Sequence, residues 1–279
     1  MLPWNYGFHW NPGTIIFMGA FYSVLLVVIA TVLNAALRAQ RALRAEKAEQ
    51  VRWHSDFHDL PGPDRSCRHV LTGELTSREC PNAFDCRKCE THRKLTAGAE
   101  PGAGGAPTGE RPDDDLFGLS FPADRLYHRG HTWVHPESDG TLTVGLDDLG
   151  QRLLANPDRL YLPEPGQRVT VNGVAWRARK RNADVRVLSP VDGEVVAAGG
   201  PDCGWYLKVK PGCSDLRHLL CSREIQPWVM REMERLQLAL TAEGASPTLA
   251  DGGVPVADIA ASYPETDWDA VCGKMFLQP

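Results

Sequence analysis

The first 37 residues of this 279-residue chain contain no Lys, Arg, Asp or Glu, and all 65 charged side chains lie in residues 38–279. The sequence lacks a Ser-His-Asp order, a phosphate loop, a dinucleotide glycine motif and a haem-attaching C-x-x-C-H. The familiar hydrolase, nucleotide-binding and c-type haem chemistries therefore have no footing in it. It also lacks a basic excess: the formal charge is -5, and broad nucleic-acid binding needs a basic face. At 43% hydrophobic and 23% charged residues, neither wholesale disorder nor a fibrous repeat fits. Nothing here points to an enzyme.

The charge-free end carries a membrane signature. Residues Thr14–Leu37 run 24 positions with only Thr14, Ser23, Thr31 and Asn34 as weak polar interruptions. At about 1.5 Å per residue such a helix reaches roughly 36 Å, enough to cross a bilayer core of about 30 Å. Trp4, Tyr6 and Trp10 precede it as interfacial aromatics do, and Pro12 suits a helix start. A cleaved signal peptide fits poorly, because no positive n-region precedes the run and the run exceeds a usual h-region. Arg38, Arg41, Arg44, Lys47 and Arg52 crowd the C-terminal flank. The positive-inside rule then predicts a single-pass anchor in the cytoplasmic (inner) membrane of a bacterium, with a periplasmic N-terminus (1–13) and a cytoplasmic body.

The body divides by composition. Residues 38–58 predict a charged helical stalk, since Ala, Arg, Glu and Gln all favour helix. Residues 59–95 hold four cysteines, and residues 96–117 read as a flexible linker, with Gly, Ala and Pro at 12 of the 20 positions 96–115. From 118 to 241 short apolar runs alternate with Gly, Pro, Asn and Asp: 131–135, 141–146, 159–163, 167–180, 184–190, 193–198 and 205–211. That pattern predicts a small barrel or sandwich. Residues 147–155 suggest a short helix, and 222–240 a longer one with Ile225, Trp228, Val229, Met233, Leu236 and Leu240 near one face. Residues 242–279 form a tail whose Val271, Met275, Phe276 and Leu277 could dock on this chain or on a neighbour.

Cys67, Cys80, Cys86 and Cys89, spaced x12, x5, x2, form the sharpest chemical signal. Four thiols ending in C-x2-C suit a tetrahedral zinc site, which can fold a segment too poor in apolar residues to hold itself. An iron–sulfur cluster also accepts four cysteines, and two disulfides are a third reading that needs the oxidising side of the membrane. His69 and His92 are reserve ligands. The expectation is that loss of metal would unfold residues 65–95 without touching the barrel. Cys203, Cys213, Cys221 and Cys272 are scattered and read as small hydrophobes.

RLYHRGHTWVHPESDGTLTVGLDDLGQRLL, DRLYLPEPGQRV (158–169) and LSPVDGEVV (188–196) together resemble the glycine-cleavage H protein. GWYLKVKP (204–211) and DLRHLLCSREIQPWV (215–229) resemble its closing strand and C-terminal helices. The resemblance implies a mainly β, lipoyl-type barrel-sandwich hybrid over residues 118–240. It also implies a lipoate-bearing Lys eight residues before Pro190, where this chain has Asn182 within Arg179-Lys180-Arg181-Asn182. An amide cannot take lipoate, so no lipoate is expected. Lys180 is the alternative acceptor, displaced by roughly 7 Å along a strand. The basic tip Arg179, Lys180, Arg181 is either a solvated turn or a docking surface for an acidic partner.

Three functions follow. The first is a non-catalytic membrane subunit that stabilises or docks a larger electron-transfer complex, respiratory or photosynthetic, with other membrane subunits and the bilayer as partners. The second is a membrane-tethered lipoyl carrier, and the third an iron–sulfur electron-transfer subunit.

Overall fold

The computed structural model describes residues 11–44, 57–97, 115–244 and 254–278. These fall into two units, residues 1–50 and 51–279. Residues 98–114 of the predicted linker and most of the stalk lie outside the described residues, while the linker's ends have regular structure, Thr96 in a helix and Asp115–Leu116 in a strand.

In the first unit, α1 spans Pro12–Arg44. Pro12 sits in the first turn, where a missing N–H costs nothing. The stretch Ile15–Asn34 has a mean hydropathy of 2.5 and buries none of its residues within the unit, which makes it long and apolar enough to cross a membrane. Its polar side chains satisfy themselves on the helix: Ser23 Oγ donates to Ala20 O and Thr31 Oγ1 to Val28 O, both at 2.8 Å. Hydroxyls bonded this way present no unpaired donor to lipid.

The second unit is built on two antiparallel sheets. Strands β1 (Asp115–Leu116) and β2 (Leu119–Ser120) form a ribbon. The large sheet contains β3 (Leu126–His128), β4 (Thr132–Pro136), β5 (Leu142–Leu146), β7 (Arg168–Val169), β10 (Gly193–Gly200) and β11 (Trp205–Pro211), in the order β3-β4-β5-β11-β10-β7. The small sheet has the order β6-β8-β9, from Arg159–Tyr161, Val174–Lys180 and Ala183–Leu188. Inward alternation explains β8, where Trp176, Ala178 and Lys180 are buried while Arg179 is exposed. Trp176 stacks on Tyr206 of β11 at 4.9 Å between centroids, joining the sheets. Gly145 is needed opposite Trp133, whose ring would lie 2.4 Å from a Cβ at that position.

Two expectations change in detail. Residues 167–180 are not one strand: Asn172, at φ 63°, turns the chain between β7 and β8, and the two halves enter different sheets. The predicted helices appear as α4 (Asp148–Leu153) and α5 (Ile225–Ala242). Asp147 caps α4 by accepting from Gly150 N at 2.7 Å, an N-terminal device worth about 1 kcal/mol.

The cysteine segment contains α2 (Arg68–Leu71) and α3 (Glu90–Thr96). It is not a separate module. Phe57, Leu60, Cys80, Ala83 and Phe84 share one apolar cluster with Leu188 of β9 and Leu277 near the C-terminus. Arg68 donates to both carboxylate oxygens of Glu224, Arg87 Nη1 to Asp192 Oδ2 at 2.5 Å, and Asn172 Nδ2 to Ala83 O at 2.6 Å. The segment completes its small core with Leu188 of the barrel and Leu277 of the tail. The expectation that it could unfold alone is therefore corrected: its loss would expose barrel residues too.

The tail docks on its own chain. It forms α6 (Ile259–Ser262) and α7 (Trp268–Met275). Trp268, Val271, Met275, Phe276 and Leu277 are all within 1% of full burial. Side chains buried to that degree each contribute roughly 1.5–3 kcal/mol.

Candidate functional site

Two places gather the candidate residues: the β8–β9 hairpin tip and a pocket lined by cysteines.

At the tip, the Lys180–Ala183 pair closes a two-residue turn, Arg181-Asn182. Arg181 takes φ 53°, as hairpin turns that match the strand twist require, and its N–H donates to Asp158 Oδ2 at 2.7 Å. Lys180 is buried. Its Nζ donates to Ala155 O and, at 3.0 Å, to Asp258 Oδ2. Asn182 Nδ2 donates to Asp267 Oδ1 at 2.7 Å, and Arg181 Nη1 reaches Pro264 O at 3.5 Å.

The two aspartates are also the N-caps of the tail helices. Asp258 accepts from Ala261 N at 3.0 Å and Asp267 from Asp269 N at 3.1 Å. Asp267 is held below the usual carboxylate range by the Asn182 hydrogen bond. At Asp258 burial opposes ionisation, yet the Lys180 bond and the cap keep its pKa lowered. The docking expectation is thus corrected for Lys180, whose acidic partner belongs to the same chain. Arg179 and Arg181 stay exposed.

The second place unites all four predicted cysteines. Backbone bonds from Cys67 N to Arg78 O (2.8 Å) and from Cys80 N to Arg65 O (2.7 Å) set two extended stretches side by side. A 3-10 turn, Cys86–Lys88, brings Cys89 next to Cys86. All four thiols, with Arg68 and Arg129, line one pocket. Burial pushes Cys86 up to about 11 despite the neighbouring Arg68, and raises Cys80 as well. Cys80 Sγ accepts from Phe84 N at 3.3 Å. All four cysteines are free thiols. Among the described residues no group of three or more His, Cys, Asp or Glu is drawn together as a formed metal site. The reserve ligands turn to each other: His69 Nε2 and His92 Nδ1 lie 3.0 Å apart, and His69 Nδ1 meets Glu74.

Sequence reasoning passed over a third cluster. His131, fully buried, sits 3.0 Å from Asp147 Oδ2 and 3.6 Å from Glu232 Oε2. Burial opposes its charge, but the two carboxylates hold its pKa at about 9. Arg235 bridges Glu232 (2.6 Å) to Asp64 (3.1 Å). No spacing motif links residues this far apart in the chain.

The glycine cleavage H-protein family matches residues 125–199, from the start of β3 almost to the end of β10. The glycine cleavage system H protein of Ralstonia nicotianae is 31% identical over 115 residues, covering 37% of this chain and 91% of that protein. That of Aromatoleum aromaticum is 30% identical over 120 residues, covering 38% and 94%. The chain belongs to the glycine cleavage H-protein family. A crystal structure of the Mycobacterium marinum H protein covers 39% of the chain and 97% of its own, at 22% identity and a TM-score of 0.33. The matched H-protein region includes the β8–β9 hairpin. The four-cysteine segment, α1 and the tail lie outside it.

Proposed function

We propose that the chain is a non-catalytic, single-pass membrane subunit whose H-protein domain carries no lipoate and docks or stabilises a larger membrane electron-transfer complex. The observation that carries this reading is the hairpin tip. Asn182 stands where the family resemblance puts the lipoyl lysine, and an amide nitrogen does not form the lipoyl amide as an amine does. The nearby amine, Lys180, is no substitute: its side chain is 8% exposed and held by Asp258 and Ala155. A ligase would have to break an ion pair and lift the tail to reach it. A domain without its arm keeps a fold and a surface, and a fold alone does not keep the family's activity.

The apolar helix α1 supports the membrane anchor, and the arginines after Leu37 support a cytoplasmic body by the positive-inside rule. Exposed Arg179 and Arg181 remain available to an acidic neighbour. Single exposed pairs contribute only about 0.2–1 kcal/mol, so such a contact would orient rather than hold.

Intact mass of the full chain, extracted in mild detergent, tests the reading together with the proteins that stay bound to it. The expected result is an unmodified mass with co-purifying integral membrane subunits, unchanged by Lys180→Arg. A lipoate increment on the wild-type chain would establish the carrier instead.

A further inference from the structure

Arg129 leaves the β3–β4 turn of the barrel and ends in the cysteine pocket. It is 9% exposed, its Nη1 donates to Ser66 O at 2.6 Å, and its guanidinium lies 4.2 Å from the Phe84 ring centroid. Its Nη2 has no hydrogen-bond partner among the described residues. Arg78, which also lines the pocket, donates to Thr91 Oγ1 at 2.5 Å. Arg68 is forked onto Glu224, and Asp85, which also lines the pocket, is taken by Arg87 at 2.8 Å. A buried cation with an unpaired donor is unfavourable, so the pocket favours negative charge beside Arg129.

We propose that Cys67, Cys80, Cys86 and Cys89 close around a single zinc ion and that Arg129 is the counter-charge of the resulting complex. One Zn²⁺ and four thiols give a tetrathiolate of charge -2 and release four protons. The anion so formed faces Arg129, and Cys80 already accepts the kind of backbone N–H bond that steadies a thiolate. The pocket that the four cysteines help to line has a cavity of about 10 Å³, room for roughly one water-sized atom. His69 and His92, bonded to each other, are left out of the ligand set.

Arg129 also makes this site a clip. It belongs to the barrel and the cysteines to the preceding segment, so the ion and its counter-charge tie the two together. The site stands whether or not the H-protein domain docks a partner.

Elemental analysis of the full chain in mild detergent should give one zinc per chain and no acid-labile sulfide. Iron with sulfide, or no metal, would overturn the proposal outright. Cobalt(II) in place of zinc should give thiolate-to-metal charge-transfer bands of four-sulfur intensity; a two-sulfur intensity would refute the ligand set. Arg129→Met should lose zinc to a competing chelator at about tenfold lower chelator concentration, as removal of a supporting group around a metal does, and Arg129→Lys should restore most of the difference. Unchanged retention in Arg129→Met, with zinc still bound, would refute the counter-charge while leaving the ion in place. Should Arg129→Met not fold, Arg129→Gln, which keeps a polar side chain but removes the charge, takes its place: zinc retention identical to wild type in both low and high salt refutes the counter-charge.

Discussion

Asp258 is the residue through which the tail grips the hairpin tip, and its removal can be resolved into two parts. Asp258→Asn keeps a side-chain oxygen to cap α6 through Ala261 N but removes the charge opposite Lys180. Lys180 is then left buried, with backbone acceptors alone. A hydrogen bond to a charged group is worth about 1.5–3 kcal/mol. Asp258 is 24% exposed on its side chain, so screening brings the expected loss to about 1–2 kcal/mol. Asp258→Ala removes the cap as well and should cost about 1 kcal/mol more. For a unit of this size each kcal/mol lowers Tm by roughly 2–4 °C. Chemical unfolding of the full chain in detergent measures the difference, and limited proteolysis at 254–278 reports whether the tail is released first. Lys180→Met combined with Asp258→Asn should recover most of the Asn penalty, because the buried charge is gone. If Asp258→Asn unfolds as wild type does, or if the double variant is worse than the sum of the singles, the tip is not held by this pair.

Other consequences are equally direct. Gly145→Ala forces a methyl against the Trp133 ring at 2.4 Å and should destabilise the barrel by about 1–3 kcal/mol; an unchanged denaturation midpoint would contradict the β4–β5 packing. His131 has its folded pKa raised to about 9 above an unfolded value near ~6.5, so its contribution, about 3 kcal/mol at ~1.4 kcal/mol per pH unit, is complete below pH ~6.5 and is lost as pH rises through ~9. Asp147, Glu232 and, behind it, Arg235 set that window, and a denaturation midpoint that stays flat from pH 6 to 9 would dismiss it. Cys86→Ser should release the proposed zinc and, because the segment shares its core with Leu188 and Leu277, lower the stability of the barrel too; a barrel melting at its wild-type temperature would restore the independent-module picture. Protease added to sealed inverted vesicles should cut between residues 96 and 115, whereas cutting only in right-side-out cells would reverse the orientation.

The strands were legible because their signal is local: alternating burial punctuated by Gly, Pro, Asn and Asp puts β4, β5, β9, β10 and β11 where the pattern predicts them. The one strand read across 167–180 hides a turn signal of its own, the Asn172-Gly173 pair, which separates β7 from β8. The spacing pointed to four cysteines acting together, and they do line one pocket, though among the described residues no three are drawn in as a formed metal site. What surrounds them was not legible. Arg129 lies 40 residues beyond Cys89, and no spacing rule connects a cation to a thiol across that distance. The basic tip Arg179, Lys180, Arg181 reads either as a solvated turn or as a docking surface, and neither reading gives Lys180 or Asn182 a partner in the same chain. Their partners, Asp258 and Asp267, sit 78 and 85 residues further on, in a tail whose apolar residues announced docking without saying where.

The segments outside the family match converge on the matched domain from two sides. The cysteine segment packs onto β9 through Leu188 and reaches the β3–β4 turn through Arg129, while the tail packs on the same strand and takes Gln278 to Arg186, with Gln278 Nε2 donating to Arg186 O at 3.1 Å. Phe57, Phe84, Leu188 and Leu277 meet in one cluster, so the segments before and after the H-protein domain also touch each other. A domain whose hairpin must present a swinging arm needs that hairpin uncovered. Here the tip is tied to the N-caps of two helices, and the strand behind it is packed on by both added segments. Restoring a lysine at position 182 would therefore not restore an arm: the new amine would replace the Asn182 bond to Asp267 with an ion pair to the same carboxylate, pulling the tail closer instead of freeing the tip.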